Sequence, residues 1–143
     1  MTLDHIGHAV HDLDAAVERY ARLFGLEVIE RETIHEHAVE AAFLSHTDWA
    51  PANLPAGGYS IELLAPRPGN TVLDKFLSTR GEGLHHICFR VDSVAQELER
   101  LKALQVPLID QIPRAGSRGS QVAFLHPKGA SGVLLEICSY PRK

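Results

Sequence analysis

Cysteine is scarce in this chain: Cys88 and Cys138 are the only two among 143 residues. Two thiols are too few for a disulfide scaffold and suit a reducing compartment. Long apolar runs are missing as well. No stretch approaches the ~18 residues that a membrane-crossing helix needs. No basic leader followed by an apolar run opens the sequence. The expectation is a cytoplasmic protein with no membrane association. Excess positive charge is the third absence. Lys and Arg total 14 against 18 Asp and Glu, a net charge of −4, which argues against a nucleic-acid partner. With 45% hydrophobic and 22% charged residues, the chain has enough apolar material for one domain, expected to span 1–143.

Histidine, by contrast, is abundant, with nine copies. It is the common imidazole ligand and titrates near neutrality, so its placement matters. One cluster sits in Gly83-Leu84-His85-His86-Ile87-Cys88-Phe89-Arg90-Val91-Asp92, which reads as a strand leaving a Gly-rich turn. The same phrase opens the chain as Leu3-Asp4-His5-Ile6-Gly7-His8-Ala9-Val10-His11-Asp12. His5 aligns with His86, Ile6 with Ile87 and Val10 with Val91. Ala42-Phe43-Leu44 recurs as Ala123-Phe124-Leu125 at the same offset. Ile61-Glu62-Leu63 is answered by Leu135-Glu136-Ile137. Matches on equivalent elements argue for an internal duplication.

Each copy reads as β-α-β-β-β. The first (about 1–68) has strands at 3–10, 26–32, 38–44 and 59–64. Its helix is capped by Asp12 and stopped by Gly25. A helical connector follows at 70–82, with Val72, Leu73, Phe76 and Leu77 on one face. The second copy (about 83–143) has strands at 84–91, 107–112, 120–125 and 132–138. Its helix follows a Ser93/Gln96 capping box. The Asp48-to-Gly58 stretch is expected to be a long loop. The fold class is therefore α+β: two βαβββ modules forming an eight-stranded, partly open, barrel-like sheet around a metal site.

The metal site follows from polar residues inside apolar strands. A buried charge needs a partner. His5, Glu62, His86 and Glu136 occupy the first and last strands of the two copies. Taken singly, each has a bland reading: a satisfied strand histidine, or a Glu on a solvated face. At duplicated positions the four read together as an oxygen–nitrogen ligand set for a divalent ion. Open coordination positions would make it catalytic rather than structural. Glu40 breaks the symmetry, because its counterpart is Gln121. It reads either as a base beside the metal or as an edge-strand Glu facing water. Cys88 and Cys138 share the strand face of His86 and Glu136 and read as packing residues. His85 points to the opposite face from His86.

These phrases, together with Gly81-Glu82-Gly83-Leu84-His85-His86 and Phe124-Leu125-His126-Pro127-Lys128, resemble the vicinal oxygen chelate superfamily. Within it they are most similar to the methylmalonyl-CoA epimerases. The resemblance spans nearly the whole chain. It implies metal ligation by His5, Glu62, His86 and Glu136, with cobalt(II) expected and Mn, Ni, Zn or Mg as alternatives. It implies Glu40 and Glu136 as an acid/base pair moving a proton at C2 of a malonyl-type acyl-CoA thioester. It also implies a homodimer. Arg114, Ser117, Arg118 and Lys128 lie in loops suited to the CoA phosphates. Two other readings on the same scaffold are a glyoxalase I-type lactoylglutathione lyase and a ligand-binding protein without catalysis.

Overall fold

A computed structural model of the chain describes residues 1–45 and 59–142. The expected Asp48-to-Gly58 loop lies outside the described residues. The elements, in order, are β1 (Thr2–Ala9), α1 (Leu13–Phe24), β2 (Glu27–Ile34), β3 (Val39–Ser45), β4 (Ser60–Pro66), α2 (Thr71–Arg80), β5 (Gly83–Arg90), α3 (Val94–Ala103), β6 (Arg114–Ala115), β7 (Gln121–Leu125) and β8 (Leu135–Ser139). The class is α+β with an eight-stranded sheet, as expected. Among the described residues no helix is long and apolar enough to cross a membrane.

The chain divides into two compact units: Ile6–His85, and Met1–His5 with His86–Lys143. The division runs through β1 and β5. The first five residues, His5 included, belong with the second half of the chain.

In the unit Ile6–His85 the strand order is β2-β3-β4-β1. Asp12 accepts the Ala15 N–H at 3.0 Å, and Gly25 ends α1 at φ 66°, a left-handed conformation cheap only for glycine. Alternation along β3 divides its core. Ala42 and Leu44 pack with Leu63, Ala65 and the α1 residues Leu13 and Ala16. Ala41 and Phe43 pack with Leu64, Ala9 and the α2 residues Leu73 and Leu77.

In the other unit the order is β5-β8-β7-β6. Ser93 caps α3 through the Gln96 N–H. Val94, Leu98 and Leu101 of α3 cover Ala123, Leu125 and Ile137. Cys88, Val122 and Cys138 form a separate buried cluster with Tyr140.

One expected strand does not form. Residues 107–112 make only an isolated bridge, Leu108 to Leu125. Pro107 lacks an N–H. The Asp110 carboxylate takes the Phe124 N–H at 2.8 Å, a donor a regular ladder needs, while the Ile109 and Asp110 N–H groups share one acceptor, Phe124 O. The side chain thus substitutes for strand backbone, and the edge passes to the two-residue β6.

Gly116 is required by space. A Cβ there would lie 2.4 Å from Val122 Cγ1, in the base of β7. Gly116→Ala is expected to destabilise the protein by about 1–3 kcal/mol through overpacking. Thermal melts of the two proteins check this, and an unchanged midpoint contradicts it.

Candidate metal centre

The two halves of the duplication use the same local geometry. In β3/β4 Phe43 pairs with Glu62, flanked by Ala42 with Leu63 and Leu44 with Ile61. In β7/β8 Phe124 pairs with Glu136, flanked by Ala123 with Ile137 and Leu125 with Leu135. The Val10 N–H bonds Leu64 O, and the Val91 N–H bonds Cys138 O, both at 2.8 Å. Each Glu is thus seated by the same register opposite the same Phe. Within each unit, that face is the one turned away from its packed helix α1 or α3.

All four expected ligands are buried: His5 at 4% exposure, Glu62 at 5%, His86 at 4% and Glu136 at 6%. Three of them meet within one unit. His5 Nε2 lies 3.0 Å from His86 Nε2. Glu136 Oε2 lies 3.0 Å from His86 Nε2 and 3.5 Å from His5 Nε2. Two ligand atoms each about 2.1 Å from a shared ion, at right angles, stand roughly 3.0 Å apart. The spacing therefore fits a divalent ion held by two imidazoles and a carboxylate. Glu62 is buried on its own unit's β4.

The electrostatics favour an ionised carboxylate. Burial alone would raise the Glu136 pKa, but the hydrogen bonds of His5 and His86 outweigh it and bring it to about 2. The carboxylate is an anion throughout the physiological range. His5 Nδ1 faces Asp4 Oδ2 at 2.7 Å. A carboxylate accepts there, so Nδ1 carries a proton, and a metal ion would be bound through the Nε2 lone pair of the neutral ring.

A second grouping, Asp4, His5 and Cys88, also brings ligand atoms close together. Its chemistry does not fit a metal. The hydrogen bond with Cys138, and then burial, push the Cys88 thiol up. Asp4 already serves Arg90, Arg118 and Tyr140.

The remaining expected residues fall in different places. Glu40 is half-buried near the start of β3, paired with Ala65 and Thr33. Alternation gives it the face of Ala42 and Leu44, whereas Glu62 shares the face of Phe43. Its counterpart Gln121 pairs with Ser139 and Ala115. His85 packs edge-on against Phe76 in the other unit from His86, 4.9 Å between centroids. Arg114 lies over the Phe124 ring at 5.0 Å, and Phe124 in turn meets His86 at 5.9 Å. Lys128 follows His126, whose Nδ1 accepts its backbone N–H. Ser117 closes a tight turn by accepting from Ser120. Arg118 turns inward: its guanidinium donates to Asp4 Oδ2 at 2.7 Å and lies over the Tyr140 ring. Its charge serves Asp4.

Sequence reasoning missed Asp4, Arg90 and Tyr140. The available signal was Asp4 itself, an acid directly before a strand histidine and 2% exposed in the structure. A buried carboxylate demands cations, and β5 supplies Arg90.

Residues 4–124 match the family model of the Glyoxalase/Bleomycin resistance protein/Dioxygenase superfamily, and the chain belongs to it. The ethylmalonyl-CoA/methylmalonyl-CoA epimerase of Cereibacter sphaeroides is 33% identical over 94% of this chain and 95% of its own. The mitochondrial methylmalonyl-CoA epimerase of Dictyostelium discoideum is 33% identical over 94% of this chain and 76% of its own. A Streptomyces coelicolor methylmalonyl-CoA epimerase, solved in complex with 2-nitronate-propionyl-CoA, superposes with a TM-score of 0.87 at 37% identity, covering 99% of both chains. Within the superfamily, the chain belongs with the methylmalonyl-CoA epimerases.

Proposed function

We propose that the protein is a metal-dependent epimerase of methylmalonyl-CoA, moving one proton at C2 between the two faces of the carbon. The observation that carries this reading is the convergence of His5 Nε2, His86 Nε2 and Glu136 Oε2 within 3.0–3.5 Å. Named relatives of nearly full coverage act on that class of thioester.

In this reading His5, Glu62, His86 and Glu136 hold a divalent ion, with cobalt(II) the first ion to test. When bound, the ion supplies a Lewis acid for the thioester oxygen, where negative charge develops as C2 loses its proton. The protein's own part is proton transfer and positioning. Glu136 faces one side of the carbon. At about 2, its carboxylate is a weak base while both imidazoles donate to it. It gains basicity only when those nitrogens are engaged elsewhere. Glu40 is the second base. Because alternation places it on the face of Ala42, the proposal requires its carboxylate to reach round the start of β3, which only Val39 precedes.

Arg114 and Lys128 are the cations for the CoA phosphates in this proposal. The Arg114 guanidinium is 43% exposed and paired to Asp110 at 3.3 Å. Its place over Phe124 keeps it beside the centre. Arg114→Ala and Lys128→Ala are each expected to raise KM about 5-fold with kcat little changed, the scale of one partly exposed charge. Steady-state kinetics checks this, and an unchanged KM removes that residue from the phosphate site.

The reading also includes a homodimer, supported by the exposed Val28 and Ile29 on edge strand β2. Sedimentation equilibrium tests it. The test of the activity itself is deuterium wash-in at C2 of methylmalonyl-CoA with and without added Co(II). No metal-dependent exchange sinks the epimerase. Turnover of methylglyoxal with glutathione by the same sample would instead favour the lyase.

A further inference from the structure

Asp4 is a buried charge for which the proposed chemistry has no use. It is enclosed by four donor groups. Arg90 Nε and Nη2 reach Oδ1 at 2.9 and 2.6 Å. His5 Nδ1, Arg118 Nη2 and the Tyr140 hydroxyl reach Oδ2 at 2.7, 2.7 and 3.0 Å. Both guanidiniums stack on the Tyr140 ring, 4.7 and 5.4 Å from its centroid. Burial pushes the Tyr140 phenol up, so it stays a donor. Arg118 makes its bond from a left-handed backbone, φ 57°, a conformation uncommon outside glycine. The site therefore accepts backbone strain as well as two partly buried cations in order to fix one carboxylate.

Two cations on one carboxylate exceed what charge balance needs. The carboxylate therefore cannot rotate, and it presents one oxygen to the His5 ring. In the second copy the position matching Asp4 is held by a histidine, His85, whose ring meets Phe76.

We propose that Asp4, clamped by Arg90, Arg118 and Tyr140, is the positioning residue for His5. It holds the ring orientation and the Nδ1–H tautomer that aim Nε2 at the metal. This rests on the metal reading of the site. A carboxylate behind a ligating imidazole orients it and raises its donor strength, and its loss typically costs about 10–100-fold in metal affinity.

The experiment is a Co(II) titration of the metal-free protein, followed by ligand-field absorption and chelator competition. Wild type, Asp4→Asn, Tyr140→Phe and Arg90→Lys are compared, with thermal melts of each metal-free protein. Asp4→Asn is expected to weaken Co(II) binding about 10–100-fold and to change the absorption envelope. Tyr140→Phe removes one of the hydrogen bonds to the clamp and should weaken binding roughly 3-fold, the worth of one such bond. A lower melting point with wild-type Co(II) affinity in Asp4→Asn makes Asp4 merely structural and overturns the proposal. If Asp4→Asn does not fold, wild-type affinity in both Tyr140→Phe and Arg90→Lys overturns it. Failure of the wild type to bind Co(II) overturns the metal reading and this inference together. Binding by wild type that is indifferent to Asp4 overturns this inference alone.

Discussion

Removing the metal, or replacing His86 with alanine, is expected to reduce deuterium incorporation at C2 of methylmalonyl-CoA by about 10³-fold or more. The magnitude follows from the chemistry. A Lewis acid on the oxygen that gains charge is worth several kcal/mol, and each ~1.4 kcal/mol is a factor of ten in rate. His86 is the choice for substitution because its Nε2 is 3.0 Å from His5 Nε2 and from Glu136 Oε2. Alanine there also removes one of the two imidazoles that, with His5, hold the Glu136 carboxylate ionised. Chelation and re-addition of Co(II) separate the two effects. Wild type should recover with metal, and His86→Ala should not. Undiminished exchange in chelated wild type ends the metal-dependent reading.

The second large effect divides exchange from epimerisation. Two bases flank C2 in the proposal, one for each epimer. With Glu40→Gln, the epimer whose proton faces Glu136 still loses it and takes deuterium back on the same side. The other epimer does neither. Epimerisation should fall about 10²–10⁴-fold, the usual worth of a positioned general acid/base, while wash-in into one epimer persists. Following each epimer separately by mass and by chiral resolution makes the distinction. Equal wash-in into both epimers, or epimerisation near the wild-type rate, removes Glu40 from the proton path. The result carries weight because regular alternation sets Glu40 on the face of Ala42 rather than that of Phe43.

Much of this architecture was legible because the chain repeats itself. The phrases around His5 and His86 marked β1 and β5, and Ala-Phe-Leu marked β3 and β7. The registers Phe43–Glu62 and Phe124–Glu136 bear out that correspondence. Helix limits were legible where capping is local, as at Asp12 and Gly25. Periodicity misled at 107–112. Apolar spacing there looks strand-like, but the Asp110 side chain takes the backbone bond that a strand would have made. Arg118 was legible as a loop cation and nothing more. Its inward turn depends on Asp4, 114 residues away in sequence, and no local pattern encodes that. The clamp was hidden for the same reason, although a buried acid next to a ligand candidate demanded partners somewhere.

Tyr140 and Asp4 are 136 residues apart in sequence. During synthesis His5 therefore emerges long before Tyr140, the last side chain to close on Asp4. The unit Ile6–His85 has its own core and can order while the rest is being made. Residues 1–5 cannot settle on their unit until β8 and Tyr140 have emerged. Contacts of such sequence separation form late. On the proposed metal reading, His5 is therefore fully supported only after Tyr140 has emerged, and a truncation ahead of Tyr140 is expected to weaken Co(II) binding.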